Sequence, residues 1–404
     1  WPLGAGLAAG SGVGGLTRFL EWFQPHLSLR EGHALCCTSR GLRGSVGPAL
    51  VLMGRDDRVL AMAEAEQCRQ VRLTPLQTSP RLVVADGFLS PVECRHLRAL
   101  FAAAGRFPAR CAARLLPNTS KAYVRLDLKA ADWLPPASQR LLQRIRARIA
   151  AVTATPATAF ETPLEINYTP AKGLQVGGID HLTLADEFGL HLDANNGRPE
   201  RCATVLIYLN DVVEDPQACV GGGTVFPLAG VSLADGDAVY QAAEALLEAG
   251  IFHTGRPLRD AAANPAARTG HRYTVAETAD AARRLLAAAN HAATAAPALG
   301  KVVQPREGRA AVFWSRRASD GQMDPASWHG GLALHVVDKA HQGKLTLQQF
   351  VEIPQQFRKS DEARAAHIAG SLRQNWTTEE VTAGGVKFRW RAAAAAAAAT
   401  AASS

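Results

Sequence analysis

The chain has 404 residues, 47% of them hydrophobic and 20% charged, with a formal net charge of +8. That is ample apolar material for one large domain or two ordinary ones, which excludes a disordered chain. Its basic residues are scattered, with no Lys/Arg block of five, so a nucleic-acid footprint is not indicated, and no apolar run long enough to span a membrane is free of charge. Seven cysteines (36, 37, 68, 94, 111, 202, 219) form no CxxC pair, which favours a reduced compartment and leaves a single Cys202 to Cys219 bridge open. The chain begins at Trp1 and ends Ala-Ala-Ser-Ser without a retention tetrapeptide. No compartment is assigned; the secretory pathway and an organelle both stay open.

Residues 1–79 read as an N-terminal extension of unclear structure, Gly-rich at first and then aromatic-edged at 16–23, a candidate docking arm. From Arg81 the signals sharpen. Residues 82–88 read as a strand and turn, and Ser90-Pro-Val-Glu-Cys94 opens a helix with Ser at the N-cap, Pro first and Glu third. Cys94, Leu97, Leu100 and Phe101 then recur at helical spacing. A second helix is expected over 137–152, with Leu141, Leu142, Ile145, Ile149 and Val152 on one stripe and Arg140, Arg144, Arg146 and Arg148 as a solvated face. The strand ETPLEINY, 161–168, leads into the core, and a loop at 169–187 carrying His181 follows.

The organising stretch is 188–227. His191 and Asp193 are separated by one residue, so in a strand both side chains point to one face. The β-branched and aromatic run at 204–209 reads as a buried strand, and Gly221-Gly-Gly223 turns into Thr224-Val-Phe226-Pro227. Residues 228–299 carry Ala-rich helical stretches at 237–249 and 274–293, which read as a solvent-side insertion without chemistry, or else as a lid or partner surface. The main domain resumes at 302–314 and reaches Trp328-His329-Gly330-Gly331, then a strand from Lys344; residues 355–404 form a tail with no catalytic role.

His329 can complete a set of two His and one carboxylate, the ligand set that selects non-haem Fe(II) and leaves coordination positions open. His181 competes with His191 by position. His191 is preferred for its same-face carboxylate, while His335 and His341 read as structural. In this order HLD, R..T.LIYLND, GGGTVFP, a Gly-Arg-Ala strand and a distant His followed by a Lys strand resemble the Fe(II)- and 2-oxoglutarate-dependent oxygenases, in their prolyl 4-hydroxylase-like branch, over 82–354 with one long interruption.

The resemblance implies an α+β, mainly β fold: a double-stranded β-helix, or jelly-roll, buttressed by helices, in a domain at 80–354 with the Ala-rich insertion at about 228–300. It implies Fe(II) on His191, Asp193 and His329, with 2-oxoglutarate and O2 as co-substrates, succinate and CO2 as co-products, and ascorbate in support. A Lys after the distal His would take the C5 carboxylate of 2-oxoglutarate. The usual interval names Lys339, while strand parity in KLTLQQFVEIP favours Lys344. Tyr208 and Thr224 would assist, with Tyr168 a further hydroxyl. The implied substrate is a peptidyl residue, proline by analogy, on a peptide or protein entering a groove near Trp314, Trp328 and the His181 loop. Two other readings stand beside it: an oxygenase acting on another residue type or a small molecule, and an accessory or scaffold subunit with little activity that uses the insertions and termini as contact surfaces.

Overall fold

A computed structural model describes residues 69–102, 114–115, 122–126, 134–173, 189–194, 198–212, 219–230, 237–254, 273–294, 300–317, 319–336, 343–373 and 381–390. In chain order these form β1 (Arg69–Thr78), β2 (Arg81–Asp86), α1 (Pro91–Ala102), β3 (Arg114–Leu115), β4 (Ala122–Leu126), α2 (Pro136–Thr153), β5 (Leu164–Thr169), β6 (Lys172–Gly173), β7 (Arg201–Tyr208), β8 (Cys219–Gly221), β9 (Thr224–Phe226), α3 (Ala238–Glu248) and α4 (Val275–Thr294). Then come β10 (Lys301–Val303), β11 (Ala310–Trp314), β12 (Gly330–Gly331), β13 (Leu334–Val336), β14 (Lys344–Glu352), α5 (Asp361–Arg373), β15 (Val381–Ala383) and β16 (Val386–Trp390).

Side-chain alternation builds the main sheet, whose strand order is β15-β16-β1-β2-β11-β7-β14-β5-β4-β3. In β7 and β14, Ala203, Val205, Ile207, Leu345, Leu347 and Val351 turn to one face and join a core with α1 and α2. Thr204, Tyr208, Lys344 and Thr346 turn to the other, as strand parity requires. That second face meets the small sheet β10-β9-β12, and Leu82, Val84, Tyr208, Phe226, Val303, Ala311 and Phe313 fill the space between them. Two facing sheets with helices against the larger one make the expected jelly-roll with buttressing helices.

Both helices start and bury as their sequences predict. Ser90 and Glu93 cap α1 reciprocally, with Glu93 N–H donating to Ser90 Oγ at 3.2 Å and Ser90 N–H to Glu93 Oε2 at 2.8 Å. The stripe of α2 is buried, each large aliphatic side chain contributing about 1.5–3 kcal/mol. Its arginines are not all solvated: Arg148 is 3% exposed and grips Glu93 through two bonds of 2.9 and 2.7 Å. The stripe count missed this because Glu93 lies on another helix, and a buried Arg is stable there only because its partner is buried with it.

Three further expectations change. Strand β1, inside the supposed extension, pairs with β2 and β16, so the main sheet reaches beyond both 80 and 354. Cys202 and Cys219 are both buried and form no disulfide with each other, and burial pushes the Cys202 thiol up to about 12. The insertion is not a solvent-side appendage. Its helices α3 and α4 pack on the outer face of the small sheet, where Ala242, Ala243, Leu246, Ala282, Leu285 and Ala289 share a second core with Leu190, Leu192, Val225 and Trp328.

Candidate active site

The segment 190–192 is extended because it is hydrogen-bonded on both edges. On one edge His191 N–H donates to His329 O at 2.9 Å and His329 N–H returns to His191 O at 3.1 Å. On the other, Leu192 N–H donates to Phe252 O at 3.1 Å and Thr254 N–H to Leu190 O at 2.9 Å. Leu190 and Leu192 bury outward in the second core, so alternation aims His191 and Asp193 inward. Trp328 buries outward by the same rule, which turns His329 in.

The donor atoms of His191, Asp193 and His329 all lie within 4.8 Å of one another. Asp193 Oδ1 is 3.6 Å from His191 Nε2, and its Oδ2 is 3.5 Å from His329 Nε2. Donors bound to one ion at about 2.1 Å stand roughly 3–3.5 Å apart, so the three side chains can hold a divalent metal with little movement. The tautomers also fit. His329 Nδ1 donates to Ser327 O at 3.0 Å and His191 Nδ1 reaches Gly189 O at 3.4 Å, which leaves both Nε2 lone pairs facing the shared space. Thr204 donates to Asp193 Oδ2 at 2.6 Å and orients the carboxylate.

Electrostatics favour metal over protons. Burial pulls His329 down to about 4, against the pull of Asp193, so its imidazole is neutral at physiological pH. Burial alone would raise Asp193, but His329, His191 and the Thr204 hydroxyl together hold it below the usual carboxylate range. Phe226 and Phe313 flank His329 with ring centroids at 5.5 and 4.5 Å and close the back of the site to water.

Deeper in the barrel Lys344, 6% exposed, donates from Nζ to Gly222 O at 2.7 Å. Gly222 sits at φ +76°, a left-handed turn that presents this carbonyl and that a side chain would strain. Tyr208 on the main sheet donates to Thr224 Oγ1 on the small sheet at 2.8 Å, and both are buried. A Cβ added to Gly331 would lie 3.5 Å from Lys344 Nζ, so its absence leaves room beside the ammonium. A buried cation and buried hydroxyls near a metal triad suit the distal carboxylate of 2-oxoglutarate.

Not every expected residue arrives there. Tyr168 shares the helix-side face of β5 with Leu164 and Ile166 and packs against Phe101 with ring centroids 5.9 Å apart; parity along β5 puts it on the wrong side of the sheet. Trp314 and Trp328, 1% and 0% exposed, are each sealed in a core and line no groove. His335 lies on β13, away from the triad, while His181, Lys339 and His341 fall outside the described residues. Sequence reasoning missed the orienting hydroxyl of Thr204, the Gly222 carbonyl and a neighbour of His191, His253. The run Ile251-Phe-His-Thr254 directly after Gly250 carried the strand signal that could have found the last.

This barrel and this ligand set are those expected of an Fe(II)- and 2-oxoglutarate-dependent oxygenase. No family model matches the chain. It is 28% identical over 273 residues to Prolyl 4-hydroxylase 1 of Arabidopsis thaliana, an alignment spanning 67% of this chain and 69% of the relative. Solved structures it resembles include the collagen prolyl hydroxylase of Paramecium bursaria Chlorella virus-1 in its 2-oxoglutarate complex, at 14% identity, 67% of this chain, 94% of that one and a TM-score of 0.32. A Pseudomonas putida prolyl-4-hydroxylase matches at 14% identity, 73% of this chain, 98% of that one and a TM-score of 0.32. Among the described residues no helix is long and apolar enough to cross a membrane.

Proposed function

We propose that the protein hydroxylates a peptidyl proline, consuming O2 and 2-oxoglutarate and releasing succinate and CO2. One oxygen atom enters the new C–OH and the other the succinate carboxylate. Oxidation of the C–H bond and decarboxylation of the 2-oxo acid each supply an electron pair, which together reduce O2. The observation that carries this reading is the His191, Asp193, His329 cluster together with the buried Lys344, whose Nζ a side chain at Gly331 would touch.

Fe(II), when bound, supplies the activation of O2 against the substrate C–H bond. The chain's residues do the rest. His191, Asp193 and His329 would hold the ion, with the imidazoles oriented by the Gly189 and Ser327 carbonyls. Lys344 pairs with the distal carboxylate of 2-oxoglutarate, and the buried Tyr208 and Thr224 hydroxyls, bonded to each other between the two sheets, complete its hydrogen bonds. Phe226 and Phe313 keep water from the buried side. Proline as the target, and a peptide as its carrier, are supported by similarity to the Arabidopsis prolyl 4-hydroxylase.

The test is succinate formation from 2-oxoglutarate by Fe(II)-loaded protein with and without proline-rich peptides, with mass spectrometry of the peptides and a His329→Ala control. Peptide-stimulated turnover and a gain of one oxygen on proline, both lost in the control, are expected. Hydroxylation elsewhere would replace proline as the target, and absence of iron binding and turnover would leave the scaffold reading.

A further inference from the structure

The insertion places a third imidazole beside the metal ligands. His253 pairs with His191 across an antiparallel bridge, and the flanking bonds, Leu192 to Phe252 and Thr254 to Leu190, make it the non-hydrogen-bonded kind, in which directly opposed side chains stand close on one face. His191 also bridges His329. Three histidines from adjacent segments therefore stand in a row on the inner face: His253, His191, His329. His253 lies nearly parallel to His191, with centroids 6.1 Å apart and 23° between planes, yet its donor atoms are not in the metal-holding group.

Exposure gives the row a direction. The side chain of His191 is 26% exposed, whereas Asp193 and His329 are 3% and 6% exposed. Lys344, Tyr208 and Thr224, at 6%, 0% and 3%, close the inner end. A molecule too large to enter the barrel reaches the metal from the His191 side, and the half-buried His253 ring stands at that approach. The ring is set from both sides: Ile251 and Phe252 pack into the second core, and buried Thr254 donates to Leu190 O at 3.3 Å.

We propose that His253 is a substrate-contacting residue, supplied by the insertion, that hydrogen-bonds the backbone of the peptide segment flanking the residue to be hydroxylated. This rests on the oxygenase reading and on a peptide substrate. An imidazole suits the role because it can donate to a peptide carbonyl or accept from a peptide N–H, whichever the bound segment offers. Its neighbour His191 holds the metal, so a peptide atom held by His253 lies within a residue's reach of the reacting carbon. Fixing that atom is how a remote contact orients the reaction.

The test uses the full chain and a pooled library of random peptides, scored by gain of one oxygen, beside wild type, His253→Ala and His253→Gln. On the peptides wild type selects, His253→Ala should raise the peptide KM about three- to tenfold, the loss of one hydrogen bond. The KM for 2-oxoglutarate and peptide-independent succinate formation should stay put, and His253→Gln, which keeps a donor and an acceptor, should recover most of the loss. Titration of the best peptide into Mn(II)-loaded, 2-oxoglutarate-bound protein without O2 should show the same loss of affinity. Unchanged peptide affinity in His253→Ala overturns the proposal. So does parallel loss of metal affinity, read from the Co(II) absorption spectrum, since His253 would then only support His191. If wild type hydroxylates a residue other than proline, the target proposed above falls while His253 is judged on those peptides; if it hydroxylates none, the peptide contact falls too.

Discussion

Lys344 allows the site to be tested through two quantities, of which one should fall and the other should hold. Its ammonium lies 6% exposed, 2.7 Å from the Gly222 carbonyl and beside the space left by Gly331. Lys344→Met keeps most of the volume and removes the charge. In the 2-oxoglutarate complex this strands the distal carboxylate in a buried pocket, and breaking such a pair costs about 3–5 kcal/mol, so 2-oxoglutarate affinity should fall by at least about a hundredfold. In the ligand-free protein, the Gly222 carbonyl loses a donor at a cost of about 1–3 kcal/mol. Relief of a buried charge returns about 1–4 kcal/mol, and the sum lies near zero. Calorimetric titration of 2-oxoglutarate into Mn(II)-loaded protein reads the first quantity, and the urea midpoint of the ligand-free protein reads the second. Affinity within about threefold of wild type, or the large loss appearing in Lys339→Met instead, would refute the assignment of Lys344.

Thr204→Val conserves shape and removes the 2.6 Å bond to Asp193; metal affinity should drop about 10- to 100-fold in a Co(II) titration, and an unchanged affinity would deny the hydroxyl its orienting part. Gly331→Val should crowd the space next to Lys344 Nζ by about 1–3 kcal/mol, raising the KM for 2-oxoglutarate roughly tenfold while metal affinity holds. His96, on α1, is pulled down to about 4 by burial and bonds Ser138 Oγ at 2.8 Å. The unfolded chain takes up that proton first, near the ordinary 6.5, so stability is full above this pH and is lost as the pH falls toward 4. Urea unfolding of the metal-free protein should show about 2 kcal/mol lost to His96 between pH 7 and 5, absent in His96→Gln. Equal acid sensitivity in the two proteins would contradict it.

Legibility in the sequence followed the range of the interaction. Parity is local, so spacing alone put Thr204 and Tyr208 on one face of their strand and supplied the capping box of Ser90 and Glu93, while the resemblance implied that this face and Lys344 point inward. Parity without knowledge of which face is inside is only half an answer. Tyr168 shows this: β5 alternates cleanly, but Leu164 and Ile166 fix its apolar face toward α1 and α2, and Tyr168 goes with them. Burial of Trp314 and Trp328 in opposite cores could not be seen either, because those cores are made by segments far apart in the chain. The Ala-rich insertion was misjudged for a related reason. Small residues look unspecific in sequence, yet Ala243, Ala282 and Ala289, all at 0% exposure, let α3 and α4 approach each other and the small sheet closely.

That close approach gives the insertion a part in the site that its composition conceals. Without it, the segment 190–192 would have one unpaired edge, and the N–H of Leu192 and the carbonyl of Leu190 would face solvent beside a metal ligand. An edge segment this short would be held by its two bonds to His329 alone, and a ligand set loosened by about 1 Å loses much of its affinity and rate. Residues 251–254 add bonds on the free edge, while α3 and α4 clamp Leu190 and Leu192 from behind. The same strand that steadies His191 necessarily carries a side chain onto the inner face next to it, because antiparallel pairing puts opposed residues on one side. Structural support of the metal strand and a new wall for the approaching substrate are thus a single geometric event, and His253 stands where the two meet.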